Sequence, residues 1–478
     1  MISFQGLKID PLIITALSNM GFEEPTPIQD MTIPIAMMGR DVIGMAQTGT
    51  GKTAAYGIPL VDRCQEDLQQ IQGLVIVPTR ELAMQVAEEL NKIGSRKKIR
   101  ALPVYGGQEI DRQIRALKNR PQIIVGTPGR LMDHLRRRTI RLGQISMLVL
   151  DEADEMLNMG FKEDIEEILR QAPEKRQNLL FSATMPLHTQ NLAREFMQNP
   201  EMVHIDPRAV TVVNTEQQYI EVPEMKKLDV LCRLLDMQNP ELAIVFGRTK
   251  RRVDEIAEVL SERGYSADGI HGDLTQNQRD TVMRKFRDGT TDILVATDVA
   301  ARGLDISGVT HIYNFDIPQD AEGYVHRIGR TGRAGETGLA ITFVTSREMG
   351  HLKYIEESIK HRINRKPMPT PSDALAGLQQ TVLNNLLEVA SKENIQAYRA
   401  LAEGLLEEHD SETLLAAALK IMTREPEEKP LPVLTEAPPI HMKNLRKPRE
   451  VNNGYSGNRR TSNPSRKQNP SRTPQRSR

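Results

Sequence analysis

The sequence predicts an α/β protein with two tandem doubly wound parallel-sheet domains, followed by a small helical segment and a basic tail. Three observations predict this. From about residue 40 to 350, short β-branched apolar runs alternate with loops and amphipathic helical stretches. These runs fall into two sets, separated near "HIDPRAVTVVNTEQ" (204–217), where helical periodicity lapses. Beyond residue 366 the composition changes twice, first to leucines at helical spacing and then to Asn, Ser, Pro and Arg.

The first set comprises "VIGMA" (42–46), "LVIVP" (74–78), "IIVGT" (123–127), "MLVLD" (147–151) and "LLFSAT" (179–184). The second comprises "AIVFGRT" (243–249), "ILVAT" (293–297), "HIYNF" (311–315) and "LAITFV" (339–344). Runs this short with little polar alternation suit parallel strands covered by helices on both faces. We place domain 1 at residues 1–205, a linker at 206–216 and domain 2 at 217–365. A Pro-rich hinge follows at 366–374, where Asp373 is positioned to cap the next helix. Residues 375–424 carry Leu375, Leu378, Val382, Leu386, Tyr398, Leu401, Leu405, Leu415 and Leu419 at helical spacing. So small a core needs a partner surface. A second copy of the chain is favoured over docking on domain 2.

Composition bounds the class. The 478 residues balance 63 basic against 63 acidic side chains, yet residues 441–478 hold eleven Lys and Arg against one acid, Glu450. That net of +10 leaves −10 for the remainder, so a basic tail is attached to acidic globular parts. With almost nothing to bury, residues 425–478 read as a disordered nucleic-acid tether, since Lys and Arg neutralise phosphates whatever the sequence. Cys64 and Cys232 alone exclude a disulfide framework and fit a reducing compartment. The N-terminus lacks a basic n-region and an apolar h-region, and no uncharged apolar run reaches membrane-spanning length. The expectation is a soluble cytoplasmic protein with no membrane partner.

Two motifs carry chemistry. "AQTGTGKT" (46–53) follows a strand and precedes a helix, the context of a nucleotide phosphate loop. Backbone N–H groups of Thr48, Gly49, Thr50 and Gly51 would close around phosphate oxygens, Lys52 would supply charge, and the Thr53 hydroxyl would reach Mg²⁺. A Gly-rich turn alone would not need the Lys-Thr that follows, although Ala46 stands where the strict pattern has Gly. The second motif, "VLDEADEML" (149–157), crowds Asp151, Glu152, Asp154 and Glu155 at a strand end. A solvated helix N-terminus would tolerate such acids. Beside a phosphate loop, however, Asp151 is placed to hold Mg²⁺ and Glu152 to activate the attacking water.

With "GFEEPTPIQ" (21–29), "PTRELA" (78–83), "TPGR" (127–130), "SAT" (182–184), "ATDVAARGLD" (296–305) and "HRIGRTGR" (326–333), the chain resembles the DEAD-box RNA helicases over residues 1 to about 365. The helical segment and basic tail further resemble the CshA-type branch found in Gram-positive bacteria. The resemblance implies two RecA-like domains, ATP and Mg²⁺ as cofactors, and RNA-dependent ATP hydrolysis driving local unwinding of short duplexes. It implies that Gln29 reads the adenine edge, with Phe4 stacked on the base, and that Asp305 binds the ribose. Arg330 and Arg333 would be arginine fingers. Asp154, Ser182, Thr184 and His326 would couple the nucleotide site to the RNA site.

For RNA the matching positions are Pro78, Thr79, Arg80, Gly106, Gly107, Thr127 and Arg130 in domain 1. In domain 2 they are Arg248, Thr249, Arg279, Thr297 and Gly303. Hydroxyls, backbone groups and arginines with few aromatics suit phosphate and sugar, so little sequence preference follows. RNA-decay or ribosome-assembly proteins are candidate partners, and mRNA decay, ribosome assembly or cold adaptation candidate settings. The alternatives are an ATP-dependent RNA clamp or scaffold, and a DNA-directed motor on the same engine.

Overall fold

Residues 3–46, 49–205, 215–301, 308–332, 336–392, 395–423 and 434–435 are described by the structure, a computed structural model. Domain 1 holds seven parallel strands: β1 (Val42–Met45), β2 (Gly73–Ile76), β3 (Ala101–Val104), β4 (Ile123–Gly126), β5 (Met147–Leu150), β6 (Gln177–Ser182) and β7 (Glu201–His204). Domain 2 holds β8 (Thr215–Glu221), β9 (Ala243–Phe246), β10 (Ala267–Ile270), β11 (Ile293–Ala296), β12 (His311–Asn314), β13 (Gly338–Val344) and β14 (Asn364–Lys366). Their spatial orders are β3-β4-β2-β5-β6-β1-β7 and β10-β11-β9-β12-β13-β8-β14. Counted from the first strand of each domain, these are the same order. The molecule is a structural repeat, as two sets of βα units predicted.

Burial explains why the apolar runs were so readable. Along β2, β4 and β5, successive side chains enter two different cores. Val75, Ile123, Val125, Met147 and Val149 join one, while Leu74, Ile76, Ile124, Leu148 and Leu150 join the other. A strand buried on both faces has no polar side to alternate with. Each such side chain contributes roughly 1.5–3 kcal/mol.

At the boundaries, β8 opens at Thr215, inside the stretch read as linker, and the first C-terminal helix opens at Pro371, inside the stretch read as hinge. Thr370, rather than Asp373, takes the capping position. Asp373 answers it from the first turn, its Oδ2 accepting from Thr370 N at 2.8 Å and from Thr370 Oγ1 at 2.7 Å. This pairing is a capping box, with proline at the first helical position.

The helical segment forms three helices, Pro371–Lys392, Gln396–Glu408 and Ser411–Met422. The first lies on the domain 2 helix Lys227–Gln238, so closely that a Cβ at Gly377 would meet Met237 Cα at 2.5 Å. Docking on domain 2, the less favoured sequence reading, therefore occurs for this helix. The other two leave apolar residues open, with Leu401 66% exposed and Ile421 81% exposed. The expected tail, apart from Leu434 and Thr435, lies outside the described residues. No helix among the described residues is long and apolar enough to cross a membrane.

Candidate functional site

The C-terminal ends of β1, β5 and β6 meet at one edge of the domain 1 sheet. Past β1, Gly49 and Gly51 take φ of +85° and +91°, a region L-residues rarely occupy. Gly51 is also sterically required, since a Cβ there would sit 2.4 Å from Gln29 Nε2. Gln29 holds the loop from outside. Its Nε2 donates to Gly51 O at 3.1 Å and its Oε1 accepts from Thr26 N at 3.0 Å. Thr26 Oγ1 donates to Thr50 O at 2.8 Å. The motif read as an adenine reader thus also ties the phosphate loop to the helix Pro27–Met37. Phe4 is buried in the domain 1 core, edge-on to Phe22 with ring centroids 6.2 Å apart.

Lys52 opens the helix Lys52–Arg63. Its Nζ is buried and has no hydrogen-bond partner among the described residues. The charges of Glu152 and Asp154 act on it through space, but a buried ammonium that makes no hydrogen bond is costly, and a phosphate oxygen held at the helix N-terminus would supply one. One turn further on, Tyr56 OH donates to Asp151 Oδ2 at 2.8 Å, while Glu152 N donates to Asp151 Oδ1 at 2.9 Å. The Asp151 carboxylate is thereby oriented at the end of β5. Glu152 next to it has φ of +50°. A non-glycine residue there stores about 1–3 kcal/mol, tolerated where position matters more than stability. Burial pushes the Glu152 carboxyl above its ordinary range, opposed by Lys52 and Arg330 and reinforced by Asp151. That shift strengthens it as a base.

Asp154 links this edge to "SAT". Its Oδ2 accepts from Thr184 N at 2.9 Å and from Thr184 Oγ1 at 2.8 Å, and its own N–H faces Ser182 Oγ at 3.4 Å. Burial would raise its pKa, but the hydrogen bonds from Ser182 and Thr184 and the charge of Lys52 hold it below the ordinary range. Domain 2 meets the same cluster. His326 Nδ1 lies 3.1 Å from Glu155 Oε1, and Thr184 Oγ1 lies 3.1 Å from Glu322 Oε1. Burial would lower the His326 pKa, yet the bond to Glu155 and the surrounding acids raise it. Arg330 is buried, its Nε donating to His326 O at 3.3 Å.

A second row of groups follows from the repeat. Thr79, Thr127 and Thr249 are the N-caps of the helices Arg80–Ile93, Pro128–Arg136 and Lys250–Glu262, and Thr297 precedes the short helix Asp298–Ala301. They stand after β2, β4, β9 and β11, so Thr79 is the counterpart of Thr249, and Thr127 of Thr297. Helix N-termini favour anions, and these four suit a phosphate backbone.

Gly107, with φ of +88°, lets Arg80 pass, since a Cβ there would sit 2.1 Å from Arg80 Nη1. Gly106 precedes it, and Pro78 is buried beside Thr79. Arg130 Nη1 donates to Gln108 O at 3.0 Å. The Arg248 backbone N–H donates to Asp316 Oδ2 at 2.9 Å, and its Nη2 lies 3.2 Å from Glu348 Oε1. Arg279, expected at the RNA, contacts domain 1. Its Nε and Nη2 lie 2.9 and 2.6 Å from Glu81 Oε1 in domain 1, making it a cross-domain tie beside Arg80 Nη1 and Gln276 Oε1, which are 2.9 Å apart. Thr48, Gly303, Asp305 and Arg333 lie outside the described residues.

Sequence reasoning missed Tyr56, Glu81 and Glu322 as site residues. Glu81 was visible within "PTRELA", but Tyr56 sits in an apolar helix and Glu322 reads as an ordinary helix-start acid.

Comparison with known proteins decides the family. A DEAD/DEAH box helicase profile matches residues 26–192 and a helicase conserved C-terminal domain profile residues 226–335. The DEAD-box ATP-dependent RNA helicase CshA of Geobacillus kaustophilus is 59% identical over 447 residues, 94% of this chain and 96% of the relative. The chain belongs to the DEAD-box ATP-dependent RNA helicases. CshA of Bacillus subtilis is 56% identical to this helicase over 97% of the chain and 94% of the relative.

Among solved structures, S. cerevisiae Dbp5 bound to RNA and ADP BeF3 is 32% identical, with a TM-score of 0.72 over 77% of the helicase and 96% of that chain. Mss116 bound to ssRNA and UDP-BeF is 26% identical, with a TM-score of 0.71 over 90% of the helicase and 93% of that chain. The tandem RecA-like architecture and RNA-dependent ATP hydrolysis expected from the motifs therefore hold.

Proposed function

We propose that the helicase opens short RNA duplexes locally, by closing its two domains around ATP and one RNA strand. The observation that carries this reading is the set of cross-domain contacts. Arg279 to Glu81, His326 to Glu155 and Glu322 to Thr184 each join domain 2 to domain 1 within or beside the nucleotide and RNA motifs. A ligand that touches both domains binds the closed state better and so favours it.

In this reading the Lys52 ammonium and the loop Thr48 to Gly51 hold the phosphates, Gln29 reads the adenine edge, and Phe4 turns out of the core to stack on the base. Asp305 holds the ribose, and Glu152 takes a proton from the attacking water. Arg330 and Arg333 approach the γ-phosphate on closure. Thr53 and Asp151 offer a hydroxyl and a carboxylate, the hard oxygen donors that suit Mg²⁺, which when bound would neutralise charge on the phosphates. The threonine-capped helix starts and Arg80, Gly106, Gly107, Arg130, Arg248 and Gly303 track the backbone without reading bases. Short structured obstacles in mRNA decay, ribosome assembly and growth in the cold are substrates that suit this engine in the cytoplasm.

Strand release from RNA duplexes of graded length tests the mode. Release should fall steeply as the duplex lengthens, whereas length-independent release would require translocation instead. The same assay on a chain ending at residue 440 should show weaker RNA affinity and a shallower salt slope if the +10 tail tethers RNA.

The exposed apolar faces of the helices Gln396–Glu408 and Ser411–Met422 support homodimerisation through 375–424. The full chain should then sediment as a dimer and residues 1–366 as a monomer. Equal oligomeric states would rule out this segment as the interface.

A further inference from the structure

Thr184 has one hydroxyl hydrogen and two carboxylates beside it. Its Oγ1 lies 2.8 Å from Asp154 Oδ2 in domain 1 and 3.1 Å from Glu322 Oε1 in domain 2. A hydroxyl donates once and otherwise accepts. Asp154 is the ionised partner, since it also accepts from Thr184 N, and from Glu155 N at 3.1 Å. Once Thr184 donates to Asp154, the contact to Glu322 needs a hydrogen from the other side. Only the acid form of Glu322 carries one.

The surroundings agree. From the helix Ala153–Asn158, Asp154 and Glu155 face Glu322, with Glu152, the residue before that helix, behind them, and Lys52 lies close to Asp154. On its own helix, Ala321–Ile328, the facing group is His326. The ligand atoms of Glu155, Glu322 and His326 lie within 4.8 Å of one another. On the helix Met349–Ile359, packed against the helix of Glu322, the buried His351 is turned to Pro318 O at 2.8 Å. Two ionised acids around one hydrogen would be a buried like-charge pair, which favours keeping one of them neutral.

We propose that Glu322 is a proton-carrying latch: it takes one proton from solvent as the domains close, donates it as a hydrogen bond to the Thr184–Asp154 pair, and returns it on opening. Glu322 is thus a positioning residue that makes closure over ATP and RNA pH-dependent. The inference rests on the two-ligand closure proposed above.

The sign follows from linkage. In the closed arrangement burial, Asp154 and Glu155, opposed by His326, push the Glu322 carboxyl up to about 7, from an ordinary 4.5. The closed state binds the extra proton between those values. Its advantage is therefore full at acid pH, declines as pH rises toward about 7 and is lost above. His326, also raised from its ordinary 6.5, adds a dependence of the same sign that begins near 6.5 and continues above it. The Glu322 signature is the part below pH 6.5.

The test is single-stranded RNA affinity in saturating non-hydrolysable ATP analogue, from pH 5.5 to 8.5, for the native chain, Glu322→Gln and Glu322→Ala. Nucleotide titration is common to all three and cancels in the comparison. One proton gives at most about a tenfold change per pH unit. The native affinity should fall on that scale toward neutrality. Glu322→Gln, whose amide always carries a hydrogen, should bind tightly with no slope below pH 6.5 and keep only the His326 dependence above it, and Glu322→Ala should bind weakly at every pH. A native-like slope below pH 6.5 in Glu322→Gln, or Gln as weak as Ala throughout, overturns the latch. Affinity that the ATP analogue does not raise at any pH in the native chain overturns the closure beneath it.

Discussion

Glu152→Gln is expected to slow ATP turnover by about 10²–10⁴-fold, the range a positioned general base supplies, while ATP and RNA still bind. The substitution keeps the shape and the backbone at φ +50° but removes the basic oxygen that burial has strengthened. Binding should survive because the phosphate loop and the helix starts proposed to hold RNA are untouched. Phosphate release under single-turnover conditions, beside equilibrium binding of both ligands, checks this. A Glu152→Gln protein with native turnover would remove Glu152 from its role as base.

Lys52→Ala should fail differently, losing about 10²–10³-fold in turnover together with ATP affinity. Lys52 Nζ is a buried charge without a hydrogen-bond partner among the described residues, at the start of the helix that follows the glycine-rich loop. Its loss removes ligand charge compensation instead of a proton acceptor. ATP affinity and turnover measured in parallel separate the two variants. Normal ATP affinity in Lys52→Ala would place the phosphates elsewhere.

The central strands were legible because their chemistry is one-sided: β2, β4, β5, β9 and β11 are buried on both faces and spell continuous apolar runs. The unread strands lie at or next to sheet edges. β3 is "ALPV", with a proline, β7 "EMVH", β10 "ADGI" and β14 "NRK", while β8, "TEQQYIE", is polar along most of its length and lies just inside the edge strand β14. An edge strand is less covered and need not be apolar, so periodicity has little to find there.

The site divides in a similar way. Motif residues on tight loops, Gly51 and Asp151 among them, were readable because phosphate chemistry restricts residue type. The tie of Arg279 to Glu81 and the hydrogen bond from Tyr56 to Asp151 were not. Each joins residues far apart in sequence, and neither residue type marks its partner.

The most direct test of the account is reciprocal coupling, measured in the Glu152→Gln protein so that hydrolysis is slow beside binding. RNA affinity is determined with and without saturating ATP, and ATP affinity with and without saturating single-stranded RNA. If both ligands bridge the two domains, each raises the affinity of the other by the same factor, about 5–150-fold for typical coupling energies. Affinities that do not change in either direction would contradict closure as the link between ATP and RNA.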